Sequence, residues 1–250
     1  MKFYEYGDRQ LPQIMLIHGG GNSSWMFEKQ ALQLQKDYCV ILPVLDGHGE
    51  EKSITYSSTQ EQANKIIHYI DEMCGGHLFA IGGASLGSQI AMEVLSRRTD
   101  FINKAILESG ICTAKPRLAK MVCNKWMIKA MSISYNMKWM VRWSCRQYGW
   151  PEELLNQFIE DAKALSDESN VNLYHTYLNY NIPKSLSNTK AKVLLLYGSK
   201  EKGMMKKDVL EAAKTIPESI VEELVGYNHC GFSLGNPIGY VEKLRSFLNS

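Results

Sequence analysis

The chain has 250 residues, of which 45% are hydrophobic, with 28 Lys and Arg against 26 Asp and Glu. That length suits one large α/β domain or a core with a modest insertion, and a net charge of +2 gives no reason to expect nucleic acid as a partner. The six cysteines are scattered, without CxxC pairs or metal-ligand spacing, which excludes a disulfide scaffold and argues against zinc or any other metal.

The first residues, Met1 to Asp8, lack the apolar core of a signal peptide, and no apolar run is long enough to span a bilayer. With reduced thiols, this reads as a cytoplasmic protein. Gln13 to His18 is an apolar strand entering a glycine loop, His18-Gly19-Gly20-Gly21. Tyr38 to Val44 is the next strand, ending in Leu45-Asp46-Gly47-His48-Gly49. A helix follows, opened by Ser58 with Glu61 three residues on as a capping box, carrying Ile66, Ile67 and Ile70, and stopped by Gly75-Gly76. His77 to Gly82 is a short buried strand and Gln89 to Ser96 the helix behind it; Lys104 to Glu108 is the fourth strand. Residues 112–188 then show helical spacing and no convincing strand. The rhythm resumes with a strand at 191–197, a helix at 204–215, a last strand at 220–225 and a closing helix started by Asn236-Pro237. Alternating strands and helices predict an α/β fold, a mostly parallel twisted sheet with helices on both faces. The core is expected over 1–111 and 189–250, with 112–188 as a helical insertion.

Between the third of these strands and its helix stands Gly83-Ala84-Ser85-Leu86-Gly87, a G-x-S-x-G at a strand-to-helix turn. Such a turn, the nucleophile elbow, exposes the serine above the sheet with a helix N-terminus beneath it. A serine hydroxyl needs a base, and the base needs a group to orient it. In this arrangement the acid and then the histidine follow the serine. His175 and His229 are the histidines after Ser85; His175 falls inside the insertion, whereas His229 lies on a glycine-rich loop after the last strand, so His229 is the expected base. Glu201, on the loop beyond the strand at 191–197, is the expected acid. Glu108, ending the strand before it, is the alternative, and Asp208 ranks third because it falls in an expected surface helix. The oxyanion hole is assigned to the N–H groups of Leu86 and Gly20, with Gly21 as a further candidate. His18 and His48 are read as loop-fixing residues, His68 and His77 as ordinary surface positions.

Together, HGGG (18–21), DGHG (46–49), GASLG (83–87), GSKE (198–201) and GYNHCG (226–231) resemble the α/β-hydrolase superfamily over the whole chain apart from the insertion. The resemblance implies a serine hydrolase that cleaves a carboxylic ester or thioester of a small-molecule acyl substrate through Ser85, His229 and Glu201, with no cofactor, and makes the insertion a cap over the site. Glu201 departs from the Asp usual in that place. Serine at the elbow disfavours the haloalkane dehalogenase and epoxide hydrolase relatives, which use Asp. The same triad serves C–C bond hydrolysis, amide hydrolysis and lyase steps in other relatives, and some such folds only bind ligands. Acyl length, leaving group and oligomeric state are not specified by the sequence.

The insertion is uneven. From Ser109 to Pro151 there is no Asp or Glu, against Lys115, Arg117, Lys120, Lys125, Lys129, Lys138, Arg142 and Arg146, with Trp126, Trp139, Trp143, Trp150 and five methionines interspersed. One reading packs Trp and Met onto the core beneath a basic solvated face; a second lines an adaptable acyl pocket with them. A third docks the basic Trp/Met-rich segment on an anionic membrane surface. The spread of apolar residues around the helices speaks against a simple membrane anchor.

Overall fold

Seven strands build one sheet in the computed structural model, which describes residues 1–201 and 203–250, without the side chain of Lys125. They are β1 (Lys2–Tyr6), β2 (Gln13–Ile17), β3 (Cys39–Val44), β4 (Leu78–Ala84), β5 (Ile102–Glu108), β6 (Lys192–Gly198) and β7 (Ser219–Leu224). Their order is β1-β3-β2-β4-β5-β6-β7, every pair parallel except β1 with β3. Six strands match the expected ones to within two residues. The edge strand β1 was not expected; it is short and partly exposed, so its pattern carries little apolar signal.

The helices are α1 (Glu28–Leu34), α2 (Thr59–Met73), α3 (Leu86–Arg97), α4 (Pro116–Val122), α5 (Lys125–Ser134), α6 (Lys138–Gln147), α7 (Glu152–Ala164), α8 (Asp167–Leu178), α9 (Gly203–Thr215), α10 (Gly231–Gly235) and α11 (Pro237–Leu248). The Ser58 hydroxyl accepts the Glu61 N–H at 3.1 Å, the first half of the expected capping box. Period-two alternation sorts the sheet into two apolar faces. Met15 and Ile17 pack in one core with α2, α3 and α9, while Ile14 and Leu16 face the other with α1 and α11. The strand ends carrying Ser85, Glu108 and Gly198 therefore lie along one edge of a sheet covered on both sides.

Residues 112–188 fold as α4 to α8 and a 3₁₀ turn at Lys184–Asn188, without a strand. Val141 and Cys145 of α6 and Leu155 and Ile159 of α7 form a small core of their own, whereas Leu165, Leu173 and Leu178 join the core of the sheet. The reading that packs the insertion's tryptophans onto the core holds for Trp150 and not for Trp126, Trp139 and Trp143, which are exposed. Asp208 is a second correction. It is buried rather than on a surface, because Lys115 at the start of α4 reaches it at 2.8 Å and Thr113 also donates to it. Among the described residues no helix is long and apolar enough to cross a membrane.

Candidate active site

The turn between β4 and α3 works only with glycine at both ends. A Cβ on Gly83 would overlap the Gly87 backbone, and one on Gly87 would overlap the Ile17 carbonyl on β2. Ser85 takes φ 53° and ψ −113°, its N–H bonded to the Glu108 carbonyl at 2.8 Å. Among the described residues, three non-glycine residues have positive φ, namely Ser85, Ser109 and Cys230, and all three flank this site. Strain of this kind, about 1–3 kcal/mol per residue, persists where surrounding contacts over-determine it.

His229 follows β7 on a loop held from both directions. Its N–H donates to the Asn228 side chain at 2.9 Å, and its carbonyl accepts the Trp150 indole N–H at 3.2 Å. Nε2 stands 3.0 Å from Ser85 Oγ and Nδ1 2.7 Å from Glu201 Oε1. The second Glu201 oxygen accepts the Gly198 N–H at 2.7 Å and the Ser109 hydroxyl at 2.9 Å. A carboxylate with three such donors is fixed in orientation, and it selects the tautomer with hydrogen on Nδ1 and a lone pair aimed at the serine. Burial works against a charged His229 ring, while the Cys230 and Glu201 side chains work for it, and the balance lies well above the ordinary histidine value. Burial pushes the Cys230 thiol up as well, and Glu201, bonded to Nδ1, is the carboxylate placed to support a charged ring.

Glu108 is not part of this chain of bonds. It is buried on the other face of the sheet, accepting the N–H groups of Phe232 and Ser233 at 3.3 and 3.2 Å, and burial raises its carboxyl to about 7. His18 donates from Nδ1 to the Gly19 carbonyl at 2.8 Å and accepts the Leu45 N–H on Nε2 at 3.1 Å, which ties two loops together. Burial holds His18 down at about 3 and His48 at about 4, so both stay neutral. His68, His77 and His175 are exposed.

Gly20, Gly21 and Leu86 line a cavity of about 220 Å³ in front of Ser85, closed by Leu165, Leu173 and Tyr174. Among the described residues nothing accepts from the Gly20 N–H, and Leu86 opens α3, where an N–H has no partner within the helix. On the far side of His229 a wider cavity of about 560 Å³ is lined by Trp143, Tyr148, Lys200 and Met204. Tyr177 borders both, its hydroxyl 3.2 Å from Ser85 Oγ. The buried Gln89 side chain, one turn into α3, anchors it by donating to the carbonyls of Tyr177 and Ile111 at 3.0 and 2.8 Å. Tyr177 and Ser109 are the two site residues the sequence reading missed. No motif marks either, although a Ser directly after Glu108 at a strand end was a local hint.

A family model for the alpha/beta hydrolase fold matches residues 12–142. No curated protein sequence matches the chain. Among solved structures, an enol-lactonase from Burkholderia xenovorans LB400 superposes with a TM-score of 0.81 at 15% identity, covering 100% of this chain and 96% of the other. A thermophilic esterase from Thermogutta terrifontis gives 0.78 at 18%, covering 99% and 92%. An esterase from Exiguobacterium antarcticum gives 0.78 at 18%, covering 99% and 95%. At these identities the likeness is one of fold.

Proposed function

This chain belongs to the α/β-hydrolase family, and on that premise we propose that it is a serine hydrolase cleaving carboxylic esters or thioesters of short acyl groups. One observation carries the reading: the unbroken line from Glu201 through His229 to Ser85, at 2.7 and 3.0 Å. His229 takes the proton from Ser85 Oγ as the serine attacks the carbonyl, and Glu201 supports the imidazolium that results. The N–H groups of Leu86 and Gly20 receive the oxyanion, and Tyr177 O–H, accepted by Ser85 Oγ in the resting site, holds the nucleophile in line. His229 then protonates the leaving group, and water hydrolyses the acyl-enzyme by the same route. The inserted helices act as a cap, with α8 closing the site over Ser85.

The two cavities support a division of labour. The smaller one, about 220 Å³, suits a short acyl chain or a single ring. The wider one beside Trp143 and Lys200 suits the leaving group. Fluorophosphonate labelling of the native protein, lost in Ser85→Ala with the melting temperature retained, is the expected result. A folded native protein that resists labelling and turns over no short p-nitrophenyl ester would overturn the proposal.

A further inference from the structure

Helices α4, α5 and α6 each bury one side and turn the other to solvent. At about 100° per residue, the side of α5 opposite buried Ile128 carries Trp126, Ala130 and Ile133. The side of α6 opposite buried Val141 and Cys145 carries Trp139, Trp143 and Arg146, and that of α4 opposite buried Ala119 carries Arg117 and Met121. Trp126, Trp139 and Trp143 are 85%, 69% and 61% exposed. Folding has thus sorted apolar residues that look evenly spread in sequence into an apolar ridge along the solvent side of each helix. Three indoles standing in water on adjacent helices are a contact surface rather than scattered surface hydrophobics.

Charge says what the ridge meets. Residues 109–151 hold eight of the chain's 28 Lys and Arg and none of its 26 Asp and Glu, so the remainder of the molecule is net acidic. Four of these cations are engaged: Lys115 by Asp208, Lys138 by Glu160, and Arg142 and Arg146 by Glu152. Arg117, Lys120 and Lys129 have no carboxylate within ion-pair distance among the described residues. The carboxylates beside the ridge, Asp167 and Glu168 at the start of α8, are exposed and line one groove with Trp126 and Lys129. Asp167 accepts a hydrogen bond from Ser132, which lies on the Ile128 side of α5.

The geometry points to an anionic bilayer surface as the partner of this face. Tryptophan and methionine side chains would enter the interface, and Arg117, Lys120 and Lys129 would meet the headgroups. Trp143 also lines the cavity beside His229, so the same contact turns the mouth of that cavity toward the lipid. The surface reading stands on exposure and charge and does not depend on the chemistry of Ser85.

The test is flotation of the protein with vesicles of phosphatidylcholine alone and of phosphatidylcholine with about one-third phosphatidylglycerol. Binding at least about tenfold tighter to the mixed vesicles is expected, weakening with salt and accompanied by a blue shift of indole emission. Trp126→Glu and Trp139→Glu should each abolish flotation with the melting temperature unchanged. Lys120→Gln and Lys129→Gln should each weaken it about fivefold, the equivalent of ~1 kcal/mol per basic residue. Equal or absent binding to the two vesicle types, or ridge variants that float like the native chain, would overturn the proposal. So would a dimer by light scattering that Trp126→Glu dissolves, which would assign the ridge to a second copy of the chain.

Discussion

Replacing Glu201 by Gln exchanges one carboxylate oxygen for NH₂ and is expected to cost about 10⁴-fold in kcat. The size follows from the hydrogen bonds that the side chain accepts. One carboxylate oxygen takes the Gly198 N–H and the Ser109 hydroxyl, and the other takes His229 Nδ1–H. A glutamine can keep its oxygen toward Gly198 and Ser109, which directs its NH₂ at His229 Nδ1. That orientation demands an unprotonated Nδ1 and puts the ring hydrogen on Nε2, facing Ser85 Oγ, where a lone pair is needed. The flipped amide restores His229 but leaves the buried Gly198 N–H facing a donor, at a cost of about 1–3 kcal/mol. Since about 1.4 kcal/mol is tenfold in population, the unproductive tautomer prevails by roughly 5- to 150-fold before the loss of charge on the imidazolium is counted. The assay is kcat and kcat/KM on a short p-nitrophenyl ester across pH. His229 works as a base only when neutral, so activity is lost as pH falls through its raised pKa. Without the Glu201 charge that limb should move to lower pH. A Glu201→Gln enzyme within tenfold of the native rate would refute the reasoning, as would a larger loss in Glu108→Gln.

Two further predictions concern residues around that triad. Tyr177→Phe removes a hydroxyl 3.2 Å from Ser85 Oγ and should lower kcat about tenfold with KM nearly unchanged, the worth of one hydrogen bond; an unchanged kcat would leave Tyr177 as a wall of the cavity only. Glu108, raised to about 7 by burial against an ordinary 4.5, binds its proton more tightly folded than unfolded. Its contribution is therefore complete below about pH 4.5 and is lost as pH rises through about 7, by about 3 kcal/mol in all. Subtracting the pH-stability curve of Glu108→Gln from that of the native chain should isolate this slope, and a flat difference between pH 5 and 8 would refute it.

The elbow and the loop of His229 were legible because glycine spacing and the succession of strands and loops are written along the chain. No other residue fits at Gly83 or Gly87, and the loop after the last strand reaches the end of the sheet where Ser85 stands. The choice between Glu201 and Glu108 was not local. Both stand at carboxyl ends of neighbouring strands, and alternation across the pleat decides between them. Glu108 shares the face of Ile106, toward α10 and α11, while the turn after β6 carries Glu201 over the His229 ring. Burial of Asp208 depended on Lys115, 93 positions earlier, and the placement of Tyr177 beside Ser85 on a contact across 92. The sequence alone thus marked the α/β fold class, the glycine turn around Ser85 and the loop of His229, since apolar periodicity and glycine spacing run along the chain. Tertiary structure alone decided which carboxylate meets His229, which tyrosine stands beside Ser85 and which tryptophans face outward. Each of these depends on what packs against the residue, and the neighbours come from distant parts of the chain.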